Sequence, residues 1–226
     1  MQIKHEFPRQ VREIEHLLIP LKDGTRLAAR IWLPENAEQQ PVPAILEYLP
    51  YRKLDGTAVR DALTHPYLAG HGYACVRVDI RGNGESDGLM LDEYLKQEQD
   101  DALEVIDWIS RQPWCDGNLG MMGISWGGFN SLQLAALRPK PLKAIITLCS
   151  TDDRYADDVH FKGGNLLLEN LGGAAVMLSL SAAVPDPRLV GDDWQAMWKH
   201  RLENMPLLAK PWLEHSTRDP YWAHGS

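Results

Sequence analysis

Residues 118–129 read NLGMMGISWGGF and contain a serine, Ser125, flanked by glycines in the pattern GISWG. An apolar run precedes this pattern, and a helix-forming segment at 127–137 follows it. Gly-x-Ser-x-Gly between a strand and a helix is typical of a strained turn, because small residues are needed where the two backbones crowd together. Such a turn lifts the serine hydroxyl above the sheet, beside the positive end of the helix. The stretch therefore makes Ser125 a candidate nucleophile.

Strands and helices are predicted to alternate on both sides of this turn. Residues 16–33 predict a hairpin, since Asp23-Gly24 supplies the positive φ that a tight turn needs. Apolar side chains in residues 98–110 recur at helical spacing. Strands are predicted at 44–48, 73–80, 119–122 and 143–149, and helices at 98–110 and 127–137. This alternation predicts an α/β fold with a mostly parallel sheet and helices on both faces.

The composition changes after Ser150. Residues 151–226 are rich in glycine and leucine and then in tryptophan, which predicts several helices and no further strand of the β/α kind. We therefore divide the chain into a sheet-containing core at 1–150 and a helical region at 151–226. Trp194 and Trp198 lie four residues apart and are expected to pack on one helix face, with the lining of an acyl pocket as the alternative.

Composition and charge restrict the class of protein. The 226 residues are 44% hydrophobic and 24% charged, as in soluble globular proteins. A net charge of −8 argues against a nucleic-acid or anionic-membrane partner. There is neither a signal-peptide pattern nor an apolar run of about 18 residues, so the cytoplasm is the expected location. Cys75, Cys115 and Cys149 lie in or beside apolar runs and are expected to be buried and reduced.

The sequence predicts no cofactor and no metal ion. Residues 81–88, RGNGESDG, place Asp87 where the third glycine of a dinucleotide-binding fingerprint belongs, and no helix follows at once. A structural loop held by Asp79 and Arg81 is expected instead. The eight histidines form no His-Glu-x-x-His or His-x-His pair, so a metal site has little support.

Four blocks of sequence carry a family resemblance: YLPYRK, HGYACVRVDIRGNGESDG, QPWCDGNLGMMGISWGG and LKAI. In this order they resemble the serine hydrolase family of X-Pro dipeptidyl-peptidases, cocaine esterase and α-amino-acid ester hydrolases. The resemblance runs from about Leu17 through nearly the whole chain. It implies an α/β-hydrolase domain interrupted by a helical cap and followed by a jelly-roll β domain. It is specific for the family and does not identify the substrate.

The resemblance also implies roles for three residues. Ser125 matches the nucleophile, and the backbone N–H of Trp126 matches one donor to the oxyanion. Tyr51, in the block LPYRK, matches the tyrosine whose hydroxyl is the second donor. Independently of the family, a phenol at the C-terminal end of a strand can present a neutral O–H to an oxyanion. The alternative is that Tyr51 packs in a loop with its hydroxyl on water.

A serine nucleophile needs a histidine base and an orienting carboxylate, which follow it in the order serine, acid, histidine. None of the candidates follows a recognisable strand: Asp152, Asp153, Asp157, Asp158, Asp186, Asp192, Asp193, Asp219, His160, His200, His215 and His224. The resemblance implies a further role for Asp157 or Asp158, because their surroundings resemble a segment that helps to bind a substrate ammonium group in amino-ester hydrolases. A solvated start of a cap helix is the alternative.

The stretch DPYWAHGS, residues 219–226, resembles the family's exit from the cap, before the strand that carries the catalytic aspartate. The acid, the histidine, the last sheet strands and the jelly-roll domain are therefore expected beyond Ser226. We expect hydrolysis of a small-molecule ester, an amide or a short peptide through an acyl-enzyme on Ser125. We also expect that the chain is truncated and for that reason poorly active. A homo-oligomer and a complementing C-terminal fragment are the partners to consider. The alternatives are an X-Pro dipeptidyl-peptidase with the same machinery and a non-catalytic remnant or binding subunit.

Overall fold

The computed structural model of the chain describes residues 6–226. Its first part contains β1 (Val11–Pro20), β2 (Arg26–Pro34), β3 (Val42–Leu49), α1 (Ala58–Gly70), β4 (Ala74–Asp79), α2 (Lys96–Ser110), β5 (Cys115–Ile124), α3 (Trp126–Leu137) and β6 (Leu142–Leu148). Its second part contains β7 (Phe161–Lys162), β8 (Asn165–Leu166), α4 (Glu169–Ala182), α5 (Pro187–Val190), α6 (Trp194–Asn204) and α7 (Ala209–Glu214), with 3₁₀ helices at Gly191–Asp193 and Pro220–Ala223.

Six strands form one sheet in the order β1-β2-β4-β3-β5-β6. The first two pairs, β1 with β2 and β2 with β4, are antiparallel, whereas the pairs among β4, β3, β5 and β6 are parallel. The β1–β2 turn contains Gly24 at a φ of 88°, a conformation that glycine adopts without strain. The predicted hairpin, the mostly parallel sheet and every predicted strand of the core are confirmed.

Helices cover both faces of the sheet, as the sequence predicts. On one face α2 and α3 pack over the main apolar core, which includes Val76, Ile106 and Leu134. On the other face α1 packs near a smaller cluster that includes Trp32 and Cys75. All six residues of β4 are buried, because a central strand between two helical layers has no solvent-facing side.

Helix α1 is an element that the sequence analysis did not assign. Its buried residues are Asp61, His65, Ala69 and Gly70, so it carries no apolar stripe at helical spacing. It also contains Pro66, which ordinarily marks a helix boundary. Asp61 instead binds the buried guanidinium of Arg77, whose Nε lies 3.5 Å from a carboxylate oxygen. Polar pairing holds this helix to the sheet, and a hydrophobic pattern cannot report such pairing.

The prediction that all three cysteines are buried is wrong for Cys149. Cys75 and Cys115 are buried, but Cys149 is exposed. Strand β6 ends the six-stranded sheet, and its apolar residues Ile146 and Leu148 are 62% and 55% exposed. An apolar run at the edge of a sheet therefore does not bury the cysteine that follows it.

This exposure predicts a simple thiol titration. In the native chain one equivalent of thiol should react rapidly with a thiol-specific disulfide reagent, because Cys149 alone is exposed while burial shields Cys75 and Cys115. In denaturant all three thiols should react. The variant Cys149→Ser should remove the rapid equivalent and keep the other two, and rapid reaction of more than one native thiol would contradict the burial pattern.

The region after residue 150 contains four α-helices and the two-stranded antiparallel hairpin β7–β8, in agreement with the prediction of several helices. On α6 the rings of Trp194 and Trp198 stack with centroids 6.3 Å apart. The indole N–H of Trp198 donates to the carbonyl of Ala182 at 2.7 Å, so this pair packs as a helix face. Among residues 6–226, no helix reaches the length and hydrophobicity of a bilayer-spanning segment.

Candidate active site

Ser125 occupies a strained turn between β5 and α3. Its φ of 55° and ψ of −123° lie in a region that side-chain-bearing residues rarely adopt, at a cost of about 1–3 kcal/mol. Its N–H donates to the carbonyl of Leu148 at 2.8 Å, which fixes the turn to the end of β6. Its own carbonyl accepts from the N–H groups of Gly128 at 2.7 Å and Phe129 at 3.0 Å. The side chain is half-buried rather than enclosed in the core.

Two glycines permit the close approach of strand and helix at this turn. A Cβ at Gly123 would lie 2.3 Å from the carbonyl carbon of Gly127, where no side chain can fit. A Cβ at Gly127 would lie 2.9 Å from Cδ2 of Leu49. The glycines of the sequence pattern thus fill the crowded positions that the Gly-x-Ser-x-Gly turn requires.

Tyr51 reaches the same point from a neighbouring strand. Strands β3 and β5 are parallel neighbours, so the loops after their C-terminal ends meet at one edge of the sheet. The backbone N–H of Trp126 donates to Oη of Tyr51 at 3.3 Å. Burial raises the pKa of Tyr51, while the Ser125 hydroxyl and the Trp126 N–H partly oppose the shift. The phenol therefore stays protonated at neutral pH and remains able to donate.

The loop that carries Tyr51 is fixed on two sides. The N–H of Lys53 donates to a carboxylate oxygen of Asp79, at the end of β4, at 2.9 Å. The buried guanidinium of Arg52 donates to the carbonyls of Ala183 and Val184, which follow α4. The position of the phenol therefore depends on both the sheet and the helices after residue 150.

The predicted residues Ser125, Trp126 and Tyr51 are brought together, but the histidine candidates are not. His160 bonds Glu93 and Asn170, and His200 bonds Asn204. His215 bonds Asp219, and His224 bonds Arg154. Within residues 6–226, no hydrogen bond joins a histidine to Ser125.

The acidic candidates lie around the helical region. Asp157 and Asp158 line a cavity of about 400 Å³ together with Cys149, Ser150 and Glu169, beside the end of β6. Burial, followed by the negative charge of Glu93, raises the pKa of Asp158 to about 6. Asp157 has Lys162 as an exposed partner at 3.3 Å.

Sequence reasoning missed Glu98, which bonds the first turn of α3 directly after Ser125. It is 7% exposed and accepts hydrogen bonds from the indole N–H of Trp126 at 2.6 Å, the Asn130 amide at 2.8 Å and the Tyr94 N–H at 2.9 Å. Burial is the main cause that raises the pKa of Glu98 to about 7. The amphipathic pattern places Glu98 at the start of α2, but nothing in that pattern indicates burial.

One buried group has the residue types of a metal site. Ligand atoms of Glu47, Asp61 and His65 all lie within 4.8 Å of one another. However, Nη2 of Arg60 lies 2.6 Å from Glu47 and 2.8 Å from Asp61, and Arg77 also faces both carboxylates. Two guanidinium groups therefore already supply the positive charge that a cation would bring.

The glycine-rich loop at 81–88 is fixed by side-chain bonds, as the sequence predicts. The Arg81 guanidinium donates twice to Asp101, at 2.7 Å each, and lies 2.8 Å from Asp23. The hydroxyl of Ser86 donates to the carbonyl of Asp79 at 2.7 Å. Burial raises the pKa of Asp79 to about 6 against the opposing charges of Arg77 and Lys53. The loop is thus tied to the sheet and to α2.

Comparison with known proteins identifies the family. The X-Pro dipeptidyl-peptidase (S15) family matches residues 23–226. Cocaine esterase of Rhodococcus sp. (strain MB1 Bresler) is 31% identical over 229 residues, covering 92% of this chain and 39% of that protein.

Two solved structures share the fold at low sequence identity. A CocE/NonD family hydrolase from Staphylococcus aureus superposes with a TM-score of 0.75 at 21% identity, over 100% of this chain and 43% of that one. An α-amino acid ester hydrolase gives a TM-score of 0.68 at 22% identity, over 96% and 40%. The chain spans about two fifths of the length of these relatives. By sequence, it belongs to the X-Pro dipeptidyl-peptidase (S15) family.

Proposed function

We propose that this chain carries the nucleophile and the oxyanion pocket of a serine hydrolase that cleaves ester or amide bonds. The observation that carries the proposal is the meeting of three groups at one edge of the sheet. These groups are the hydroxyl of Ser125 on its strained turn, the N–H of Trp126 and the hydroxyl of Tyr51, with the last two 3.3 Å apart. Two hydrogen-bond donors beside a nucleophile are what acyl transfer requires.

In the proposed reaction Ser125 Oγ attacks the carbonyl carbon of the substrate and loses its proton to a base. The carbonyl π bond becomes an oxyanion, which accepts hydrogen bonds from Trp126 N–H and Tyr51 O–H. Collapse of this intermediate expels the alcohol or amine, which takes the proton from the base, and leaves an acyl ester on Ser125. Water, activated by the same base, then attacks the ester and releases the acid.

The base is proposed to come from a polypeptide segment outside residues 6–226. The exposed edge of β6 supports this proposal, because a strand added there would end beside Ser125, whose N–H is already bonded to Leu148. A complementing C-terminal fragment would supply such a strand together with the base. We also propose that residues 151–226 act as a cap over the core at 1–150, which the bonds of Arg52 to Ala183 and Val184 support.

The proposed substrates are small esters, amides or short peptides. Similarity to cocaine esterase supports ester substrates. The family match to X-Pro dipeptidyl-peptidases supports the alternative, a peptidase with the same machinery.

A fluorophosphonate probe tests the proposal, because it phosphonylates activated serine hydroxyls. We expect slow labelling of the isolated chain at Ser125, acceleration by added imidazole acting as a diffusible base, and complete loss of labelling in Ser125→Ala. The matched control is Ser110→Ala, because Ser110 ends α2 and bonds only the carbonyl of Asp107. Peptide mapping of the labelled chain identifies the modified residue.

The outcomes separate an enzyme from a remnant. Labelling at Ser125 that rises with imidazole supports a nucleophile awaiting its base. Absence of labelling at any imidazole concentration in a folded chain would favour a non-catalytic remnant or binding subunit. Equal labelling of wild type and Ser125→Ala would assign the reactivity to another residue.

A further inference from the structure

The carboxylate of Glu98 joins the elements that carry the two proposed oxyanion donors. One oxygen accepts both the indole N–H of Trp126 at 2.6 Å and the amide of Asn130 at 2.8 Å. The other oxygen accepts the backbone N–H of Tyr94 at 2.9 Å. The proposed donor is the backbone N–H of Trp126, so the indole bond fixes the residue that provides it.

The same cluster holds the end of β3, two residues before Tyr51. The amide of Asn130 also donates to the carbonyl of Tyr48 at 3.1 Å, and the Tyr48 hydroxyl donates to the backbone carbonyl of Glu98 at 3.2 Å. Strand β3 is thereby tied to both α2 and α3. The positions of Tyr51 and Trp126, 75 residues apart in the chain, are therefore set through one shared partner.

The ionised form of Glu98, which only accepts hydrogen bonds, suits this position. Three N–H groups converge on the carboxylate, and each charge-assisted hydrogen bond is stronger than a neutral one. A glutamine could accept only at its carbonyl oxygen, and its NH₂ would face the N–H of Tyr94. The free-energy cost of burying the carboxylate is offset only while the three N–H donors stay in place.

We propose that Glu98 is a positioning residue of the oxyanion pocket. By holding the Trp126 indole and, through Asn130, the end of β3, it sets the spacing between the N–H of Trp126 and the hydroxyl of Tyr51. This inference rests on the proposed acyl transfer at Ser125. Glu98 does not touch the reacting atoms and acts only through its neighbours.

The first test compares phosphonylation rates in the presence of imidazole. Glu98→Gln should slow labelling of Ser125 by about tenfold, the factor that corresponds to one lost buried hydrogen bond. The matched control is Glu104→Gln on the same helix, whose carboxylate bonds the backbone N–H of Lys22 and not the cluster. Circular dichroism and urea unfolding establish that each variant is folded. Labelling of Glu98→Gln at the wild-type rate would overturn the proposal.

The second test is independent of catalysis. The ¹⁵N–¹H resonance of the Trp126 indole, assigned with Trp126→Phe, should shift as pH crosses the region near neutrality where Glu98 titrates. Glu98→Gln should abolish that shift, and Glu104→Gln should keep it. The charged and titratable groups that act on Glu98 or line its surroundings are Glu93, Tyr48, Tyr51, Tyr94, Asp92, Asp101 and Arg81.

The labelling rate and the indole resonance distinguish a failure of the positioning role of Glu98 from a failure of the proposed acyl transfer. Identical indole resonances in the wild type and Glu98→Gln at every pH would overturn the placement of Trp126 by Glu98, whatever the reactivity of Ser125. A titrating resonance together with an unreactive Ser125 would support that placement and count against acyl transfer. Slow labelling of Glu98→Gln together with loss of the indole shift supports the proposal as stated.

Discussion

Tyr51→Phe should slow imidazole-assisted phosphonylation of Ser125 by about 10²–10³-fold, the usual cost of losing one oxyanion donor. The hydroxyl that this change removes lies 3.3 Å from the backbone nitrogen of Trp126, and in the proposed reaction the two groups donate together to the phosphonyl oxygen of the probe. The phenyl ring remains, so packing against the core is retained. The rate constant from a time course of gel fluorescence gives the measurement.

The control for this variant is Tyr67→Phe, a tyrosine on α1 that is 45% exposed and belongs to the opposite face of the sheet. It should label at the wild-type rate. A rate for Tyr51→Phe within twofold of the wild type would show that the Tyr51 hydroxyl does not stabilise the oxyanion. The proposal would then keep only the N–H of Trp126 as a donor.

Glu93→Gln should cost about 3–5 kcal/mol of the free energy of unfolding, the typical result of removing one partner from a buried ion pair. Glu93 is 3% exposed and contacts the buried guanidinium of Arg154 and Nε2 of His160, the latter at 2.6 Å. His160 in turn bonds Asn170 through Nδ1 at 2.8 Å. Without the carboxylate, the buried guanidinium of Arg154 would lose its counter-charge and His160 would lose its hydrogen-bond partner at Nε2.

The pH dependence of this cluster follows from the direction of each pKa shift. Burial would raise the pKa of Glu93, but the charges of Arg154 and His160 outweigh it and lower that pKa to about 2. Burial would lower the pKa of His160, but Glu93 outweighs it and raises that pKa above its ordinary 6.5.

The two shifts act at opposite ends of the pH range. The contribution of Glu93 is present above pH 4.5 and is lost as pH falls toward 2. The contribution of His160 is complete below pH 6.5 and is lost as pH rises through its raised pKa. Asp158, with its pKa raised to about 6, also favours the folded state on the acidic side.

Urea unfolding at pH 6 and at pH 9 checks both effects. The wild type should be more stable at pH 6, and Glu93→Gln should lose the part of that difference that His160 contributes, along with its overall stability. Glu98 and Asp79, whose pKa values are also raised, should keep their part of the difference in the variant. The control Glu203→Gln removes an exposed partner of Lys199 and should change the free energy of unfolding by less than about 1 kcal/mol. Equal stability of Glu93→Gln and wild type would show that the buried cluster contributes nothing to folding.

The sheet and the turn at Ser125 could be predicted because their signals are local. The local residues alone predict the backbone conformation at the Asp23-Gly24 turn, in the apolar strands and at the glycines 123 and 127. The structure has every strand that these signals predict, and it brings Ser125, Trp126 and Tyr51 together.

What sequence reasoning missed depends on polar contacts between distant residues. Helix α1 is held by Asp61 and its neighbours against Arg77, and Glu98 is buried by α3 and the end of β3. Neither produces an apolar periodicity, because a charged residue is the same amino acid in the sequence whether it is paired in the interior or solvated at the surface. The burial of Cys149 was predicted wrongly for the converse reason, since an apolar run reports hydrophobicity and not the presence of a neighbour.

The open side of β6 has a practical consequence for handling the protein. Within residues 6–226 no strand pairs with the outer edge of β6, so its main-chain groups beside Ile146 and Leu148 favour association between molecules as concentration rises. Cys149 follows directly, so air oxidation could convert a transient encounter into a covalent dimer. Samples for probe kinetics and spectroscopy are best kept dilute, freshly reduced and checked by gel electrophoresis without reductant.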